Sequence, residues 1–197
     1  MKHSHQQHII TIGGKPGSGK SSTAKQLAEL LGYQHFSSGD FLREVAHKRG
    51  MSIKELIEQA EKDESIDKEI DELLAAKAQD ENFVLDSRLA FHWIPHSYKV
   101  FLDIQPEQAA ARVFHDLKNN PLRQKSEGTS EENLLAHELR LRHEKDLERY
   151  QKYYQVDYAN PEHFDLVIDT GNPKHDLPYV VQKIHASYEE SLRKNNL

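Results

Sequence analysis

The stretch from Gly14 to Ser21, GKPGSGKS, has the residue types and spacing of a phosphate-binding loop, since it fits the pattern G-x-x-x-x-G-K-[ST]. Glycines let backbone N–H groups turn toward a β-phosphate, and a following helix adds the positive end of its dipole. Lys20 would reach the β- and γ-phosphate oxygens, and the Ser21 hydroxyl would ligate Mg²⁺. The predicted contacts to the phosphates of a nucleoside triphosphate are Gly14, Gly17, Ser18, Gly19, Lys20, Ser21 and Ser22.

Spacing excludes several other nucleotide sites. A dinucleotide fingerprint that used Gly17 and Gly19 would need a third glycine at position 22, which is a serine. A GTPase would carry D-x-x-G and N-K-x-D, and neither occurs in the chain. A hydrolytic ATPase would have a strand that ends in Asp-Glu, whereas the candidate strands end in Asp-Ser, Asp-Ile and Asp-Thr. We therefore predict that the terminal phosphate of ATP passes to a second bound molecule rather than to water.

Such a transfer needs cationic side chains that converge on both phosphates from several elements. Arg43 follows the segment SSGDFL, and Arg88 lies two residues beyond Asp86 at the end of a predicted strand. Both arginines fall at the edge where a doubly wound sheet binds ligands. Asp86 itself holds Mg²⁺ through a water molecule, orients the acceptor, or only caps the turn that follows it.

Further charges lie on a strongly charged segment in the second half of the chain. Arg142, Asp146 and Arg149 are spaced i, i+4 and i+7, so they share one face of a helix. Taken alone, this pattern is typical of a solvated ladder of salt bridges. A polar, turn-rich segment precedes it, and a charged insertion of this kind in an α/β chain is typical of a mobile lid. We predict the lid at about residues 119–155.

These side chains need a scaffold in which strands and helices alternate. The predicted strands are HIITIG, YQHF, NFVLDS, YKVFLDI and FDLVIDT, and the last three are apolar runs typical of parallel strands covered on both faces. Gly32 is expected to end the first helix, and Ser52 with Glu55 to form a capping box. Helices are predicted over residues 19–31, 39–79 with two breaks, 106 to about 117, 131 to about 155, and from the cap Asp176 to 193. The predicted fold is an α/β P-loop NTPase with a five-stranded, doubly wound parallel sheet.

The composition agrees with one domain over residues 1–197, with a helical insertion at about 39–79. The 26 basic and 32 acidic residues give a net charge of −6, which indicates no general affinity for nucleic acid. No apolar run approaches the ~18 residues of a membrane span. The chain has no cysteine, which excludes thiolate zinc sites and fits a cytoplasmic location. We expect a monomer.

Three segments resemble the cytidylate kinases, especially their short archaeal-type branch, and the similarity covers nearly the whole chain. The first is ITIGGKPGSGKSSTAKQLAELLGYQHFSSGDFLREVAHKRGMSIKELIE. VLDSRLAF is similar to the family segment V-[IL]-[DE]-G-R, although Ser87 replaces the glycine and adds a side chain near the acceptor. ELRLRHEKDLERY is similar to the lid pattern R-x-R-x3-D-x2-R. The preceding connection, which contains Arg123, is longer than in the archaeal branch.

The resemblance implies a role for each matching residue. The helical insertion would hold a nucleoside monophosphate, most simply CMP or dCMP. This acceptor would be bound by Ser38, Arg43, Arg88 and Asp146. The transferred group would be stabilised by the catalytic residues Lys20, Arg142 and Arg149. Besides the nucleotides, the reaction would use Mg²⁺, held by Ser21 and, through water, by Asp86.

Two other functions stay open on the sequence. A small-molecule kinase of the same fold would act on a hydroxyl group and would need a carboxylate base, for which Asp86 and Asp40 are candidates. A non-catalytic or slowly hydrolysing nucleotide-binding regulator would bind ATP without any acceptor that stimulates turnover.

Overall fold

The computed structural model describes residues 8–52, 55–56, 59, 63–77, 80–119 and 132–195. The strands in these ranges are β1 Ile9–Gly14, β2 Gln34–Ser37, β3 Phe83–Asp86, β4 Tyr98–Asp103 and β5 Leu166–Asp169. All pair in parallel, in the order β2-β3-β1-β4-β5. The predicted five-stranded, doubly wound parallel sheet is confirmed.

The helices follow the predicted pattern to within a few residues at their ends, except for a short helix over Ala90–Trp93 that is not predicted from the sequence. Their bounds are α1 Lys20–Leu31, α2 Ser38–Arg49, α3 Glu64–Lys77, α4 Ala90–Trp93, α5 Pro106–Asn119, α6 Glu132–Tyr154 and α7 Leu177–Asn195. Among the described helices, none is both long and apolar enough to cross a membrane.

Local signals set several of these ends. Gly32 ends α1 with a left-handed φ of 68°. Asp176 caps α7, because its carboxylate accepts a hydrogen bond from the Tyr179 backbone N–H at 2.9 Å. The predicted capping box is confirmed: Glu55 N–H donates to Ser52 Oγ at 3.2 Å, and Ser52 N–H donates to the Glu55 carboxylate at 2.8 Å.

Alternating side chains of the strands pack on the two faces of the sheet. One face lies against α1 and α7, through a buried cluster that includes Ile10, Ile12, Leu27, Val100, Leu102, Val181 and Ile184. On the other face, clusters join β3 to α2, α3 and α4, and β4 to the end of α6, through Phe41, Leu74, Phe83, Leu85, Phe101, Tyr150 and Tyr158. Because all strands are parallel, the segments after β1, β3 and β4 meet at one edge of the sheet.

The prediction that β5 is covered on both faces is wrong. Val167 is 40% exposed and Leu166 is half-buried, whereas every side chain of β3 is buried. The reason is position: β5 is an edge strand of the sheet, and Val167 lines a cavity of 450 Å³. A short apolar run predicts a strand, but it does not tell a central strand from an edge strand.

Candidate active site

The phosphate-binding loop joins β1 to α1, and its glycines are required for both conformation and space. Gly14, Gly17 and Gly19 have φ angles of 149°, 77° and 90°. A Cβ atom at Gly14 would lie 2.5 Å from the Leu102 carbonyl oxygen, and one at Gly17 would lie 2.8 Å from the Ala109 Cβ. The loop is therefore held against β4 and α5 in a shape that larger residues would disturb.

Lys20 is the first residue of α1, and its ammonium group lies across the loop. Nζ donates to the carbonyl oxygens of Gly14 and Lys15 at 3.0 and 3.1 Å. Burial first, and the charge of Arg88 second, lower the pKa of Lys20 from 10.5 to about 7. Arg142 acts in the same direction. A bound phosphate chain would bring the negative charge that this cluster of cations lacks.

Residues from distant parts of the chain brace the loop. Thr170 Oγ1 donates to the Ser18 carbonyl at 3.1 Å, and Arg112 donates to the carbonyls of both Ser18 and Thr170. The Ser18 hydroxyl is buried and has no hydrogen-bond partner in the described part of the chain. A buried hydroxyl without a partner is costly, and a phosphate oxygen at the loop would satisfy it.

Oxygen atoms of the kind that ligate Mg²⁺ meet beside the loop. Asp86, at the end of β3, is buried, and its carboxylate accepts hydrogen bonds from the Ser21 hydroxyl and, at 3.2 Å, from His35 Nε2 on β2. Burial raises the pKa of Asp86. No group of three or more His, Cys, Asp or Glu side chains gathers among the described residues, so Mg²⁺ would take most of its ligands from phosphate and water. The residues fit a magnesium ion shared with a nucleotide.

Arg88 connects β3 to the charged helix. Its Nε lies 3.0 Å from an Asp146 carboxylate oxygen on α6, and Arg149 lies 3.6 Å from the other oxygen. The side chains of Arg88 and Asp146 are only 16% and 11% exposed. Arg149 also donates to the Tyr150 hydroxyl at 3.2 Å. Arg88 thus forms one charged cluster at the strand end with Asp146 and Arg149, although 58 positions separate it from Asp146 in the sequence.

Arg43 is held at the start of α2. Its guanidinium lies 2.5 Å from Asp40, and Asp40 accepts hydrogen bonds from the backbone N–H and the hydroxyl of Ser37 at 2.8 and 2.9 Å. Burial alone would raise the pKa of Asp40, but the hydrogen bonds from Arg43 and Ser37 hold it below its usual value. Ser38 follows as the first residue of α2.

Comparison with known proteins identifies the family. The family described as "AAA domain" matches residues 13–133. A cytidylate kinase from Haloquadratum walsbyi is 36% identical over 186 residues, which cover 92% of this chain and 91% of that protein. The chain belongs to the cytidylate kinase family. A cytidylate kinase from Methanothrix thermoacetophila is 37% identical over 163 residues, which cover 83% of this chain and 88% of that protein.

A solved structure supports the fold of this family member. Shikimate kinase from Bacteroides thetaiotaomicron matches with a TM-score of 0.58 and 15% identity, over 97% of this chain and 99% of that one. At this identity the match concerns the fold alone. The cytidylate kinase relatives and the family match make the chain a phosphotransferase of the nucleoside monophosphate kinase class.

The fold brings most of the predicted site residues of this kinase together. Lys20, Ser21, Asp86, Arg88 and Asp146 form one connected region through the contacts described above. Arg142 is exposed on α6, and its charge contributes to the low pKa of Lys20. Arg43 contacts Asp40 instead of this region. The Ser87 side chain is buried. Arg123 lies outside the described residues, as does the part of the predicted lid from 120 to 131.

The cavity beside β5 is not the predicted acceptor site. Lys15, Asp103, His143 and Val167 are among its lining residues, and none of the predicted acceptor residues lines it. Lys15 Nζ and the Asp103 carboxylate lie 2.6 Å apart. This ion pair joins the phosphate-binding loop to the end of β4.

Several residues of the site were not predicted from the sequence. Asp40 is predicted only as a candidate base, and its part in a capping box could have been predicted as well, because Ser37 lies three positions before it. Arg112, Thr170 and His35 carry no local signal, since each acts on a residue that is remote in the sequence.

Proposed function

We propose that this kinase transfers the γ-phosphoryl group of MgATP to CMP or dCMP. The observation that carries the proposal is the Arg88–Asp146 cluster, which puts a mostly buried guanidinium at the end of β3 close enough to Lys20 to lower its pKa. A second phosphate-binding cation beside the triphosphate loop suits an acceptor that is itself a phosphate. The relatives named cytidylate kinase support the choice of base.

The residues of the chain perform the transfer by alignment and charge stabilisation. The acceptor phosphate is already a dianion, so its oxygen can attack the γ-phosphorus without a general base. Arg88 and Arg43 would hold the acceptor phosphate, and Asp146 would bind the ribose while it keeps Arg88 in place. Lys20, Arg142 and Arg149 would stabilise the charge that spreads over the transferred group.

Mg²⁺ fits beside Ser21 and Asp86, where it would neutralise charge on the β- and γ-phosphate oxygens when bound. The Ser21 hydroxyl would contact the ion directly, and Asp86 would act through water. His35 would orient the Asp86 carboxylate, because its Nε2 lies 3.2 Å away on the neighbouring strand.

The test is ADP production from MgATP with the purified full-length chain. Separate reactions contain CMP, dCMP, UMP, AMP, GMP, shikimate or no acceptor, and the products are separated by chromatography so that CDP or dCDP is identified directly. Turnover with CMP or dCMP well above all other reactions is the expected result. Turnover with shikimate or another hydroxyl compound would favour the alternative kinase, whose fold this chain shares.

A variant of Arg88 distinguishes binding of the acceptor from binding of ATP. Arg88→Gln removes the charge but keeps a polar side chain, and it is expected to raise the KM for CMP by about 10²-fold while the KM for ATP changes little. If no acceptor stimulates the wild-type protein although ATP binds, the monophosphate proposal is wrong and a nucleotide-binding regulator takes its place.

A further inference from the structure

Tyr158 is a buried tyrosine in the turn that follows α6. Its exposed fraction is 0%. The turn is formed by Asp157, whose carboxylate accepts a hydrogen bond from the Ala159 N–H at 2.9 Å. The Tyr158 ring packs edge-on against Tyr150, with ring centroids 5.4 Å apart. Burial raises the pKa of the phenol, so the hydroxyl keeps its proton at neutral pH. A buried hydroxyl of this kind needs hydrogen-bond partners.

In the described part of the chain, the partners of this hydroxyl are Arg88 and His143. Arg88 donates a hydrogen bond to the Tyr158 oxygen, and His143 Nδ1 on α6 lies 2.6 Å from the same oxygen. A guanidinium can only donate, so the Tyr158 oxygen accepts from Arg88, and its own O–H is left to donate to His143 Nδ1. This direction requires a neutral His143 that carries its proton on Nε2.

The surroundings of His143 favour that neutral form. Burial first, and the charge of Lys15 second, lower the pKa of His143. Arg88 acts in the same direction, while the carboxylates of Asp146 and Asp157 oppose it. The imidazole is therefore an acceptor for the Tyr158 hydroxyl at the pH where the kinase would work.

We propose that Tyr158 is a positioning residue that fixes the Arg88 guanidinium for the acceptor phosphate. Asp146 holds the Nε edge of Arg88 at 3.0 Å, and Tyr158 accepts from the same guanidinium. With these two contacts the planar group cannot rotate freely, and N–H donors remain for a phosphate. The inference rests on the proposed function, because that proposal gives Arg88 its role toward the acceptor.

The variant Tyr158→Phe tests this role, because it removes the hydroxyl and keeps the ring in the core. We expect the KM for CMP to rise by about tenfold, the KM for ATP to change by less than about twofold, and kcat to fall less than the KM rises. Tyr188→Phe is the matched control. Tyr188 is also buried, and its hydroxyl lies 3.0 Å from Nδ1 of His8, but it belongs to the cluster on the opposite face of the sheet.

A double variant shows whether the effect passes through the arginine. If Tyr158 acts by holding Arg88, Tyr158→Phe should add little to the KM for CMP in an Arg88→Lys background. Full additivity of the two changes would overturn the inference, and so would a Tyr158→Phe enzyme with the KM for CMP of the wild type.

A spectroscopic measurement does not depend on turnover. In the ¹⁵N-labelled protein, the histidine nitrogen shifts should put the His143 proton on Nε2, and the Arg88 side-chain N–H signals should shift in Tyr158→Phe but not in Tyr188→Phe. If the wild type has no activity with CMP, the proposed function is wrong, and these signals still decide whether Tyr158 holds Arg88. Unchanged Arg88 signals in Tyr158→Phe would overturn the inference even in an active kinase.

Discussion

Nε of Arg88 lies 3.0 Å from a carboxylate oxygen of Asp146, and this ion pair joins the end of β3 to α6. Both side chains are mostly buried, so each charge depends on the other for the interactions that water would otherwise supply. The consequence is mechanical as well as electrostatic. The helix that carries Arg142 and Arg149 is attached to the strand end through Asp146, so the groups proposed for the acceptor and for the transferred phosphoryl group are held in one cluster.

Asp146→Asn should destabilise the fold, because it leaves the Arg88 charge buried without its carboxylate. We expect the free energy of unfolding to fall by about 2 to 4 kcal/mol, measured by urea denaturation. Glu190→Gln is the control, since the pair of Glu190 with Lys194 is exposed and should contribute nothing measurable. Equal stability of wild type and Asp146→Asn would mean that the pair is solvated.

The lowered pKa of Lys20 predicts that the stability of the fold depends on pH. Its pKa is about 7 in the folded chain, against 10.5 when exposed, so burial of the ammonium destabilises the fold below pH 7. Between these values the unfolded chain binds more protons than the folded one, and stability therefore rises with pH. Between about pH 7 and about pH 9, the free energy of unfolding of the wild type should rise by roughly 1 to 3 kcal/mol relative to that of Lys20→Met.

The measurement is urea denaturation of both proteins across this pH range without nucleotide. Lys25→Met serves as the control, because Lys25 is exposed on α1 and should give no such trend. A difference between wild type and Lys20→Met that stays constant with pH would contradict the lowered pKa. A saturating nucleotide should remove the rise of wild-type stability with pH, since bound phosphates favour the charged ammonium of Lys20.

Asp86→Asn should weaken the use of Mg²⁺ more than the binding of the nucleotide. The amide keeps the shape of the side chain but loses the charge that would hold water on the ion. We expect the Mg²⁺ concentration for half-maximal rate to rise about tenfold or more. Binding of a fluorescent ATP analogue in the presence of EDTA should be unchanged. Asp169→Asn, at the end of β5, is the control and should respond to Mg²⁺ like the wild type.

The parts of the molecule that depend on neighbours in sequence could be predicted. The loop from Gly14 to Ser21 follows a buried strand and precedes a helix, and both are visible as local patterns. Gly32 ends α1, and Ser52 forms a capping box with Glu55. Both features depend on contacts within a few residues. The conformation of one short segment decides each of these features, so the local sequence is enough to predict them.

The contacts that refine the site could not be predicted, because they join distant segments. Thr170 and Ser18 are 152 positions apart, and Tyr158 and Arg88 are 70 positions apart. Val167 belongs to a run that looks fully buried, yet it is exposed because of its place at the edge of the sheet. Strand order and the packing of α6 decide these features, and neither is a property of a local stretch.

Arg142→Ala tests the charged helix itself. Arg142 is exposed on α6, yet its charge contributes to the low pKa of Lys20, so its field reaches the phosphate-binding loop. Because it would act in the transition state, kcat should fall by about 10² or more while the Kd for ATP changes little. Lys145→Ala, an exposed cation on the same helix, should keep the wild-type kcat and thereby exclude a general effect of charge on α6. An Arg142→Ala enzyme with normal kcat and a weaker Kd for ATP would assign the arginine to ground-state binding instead.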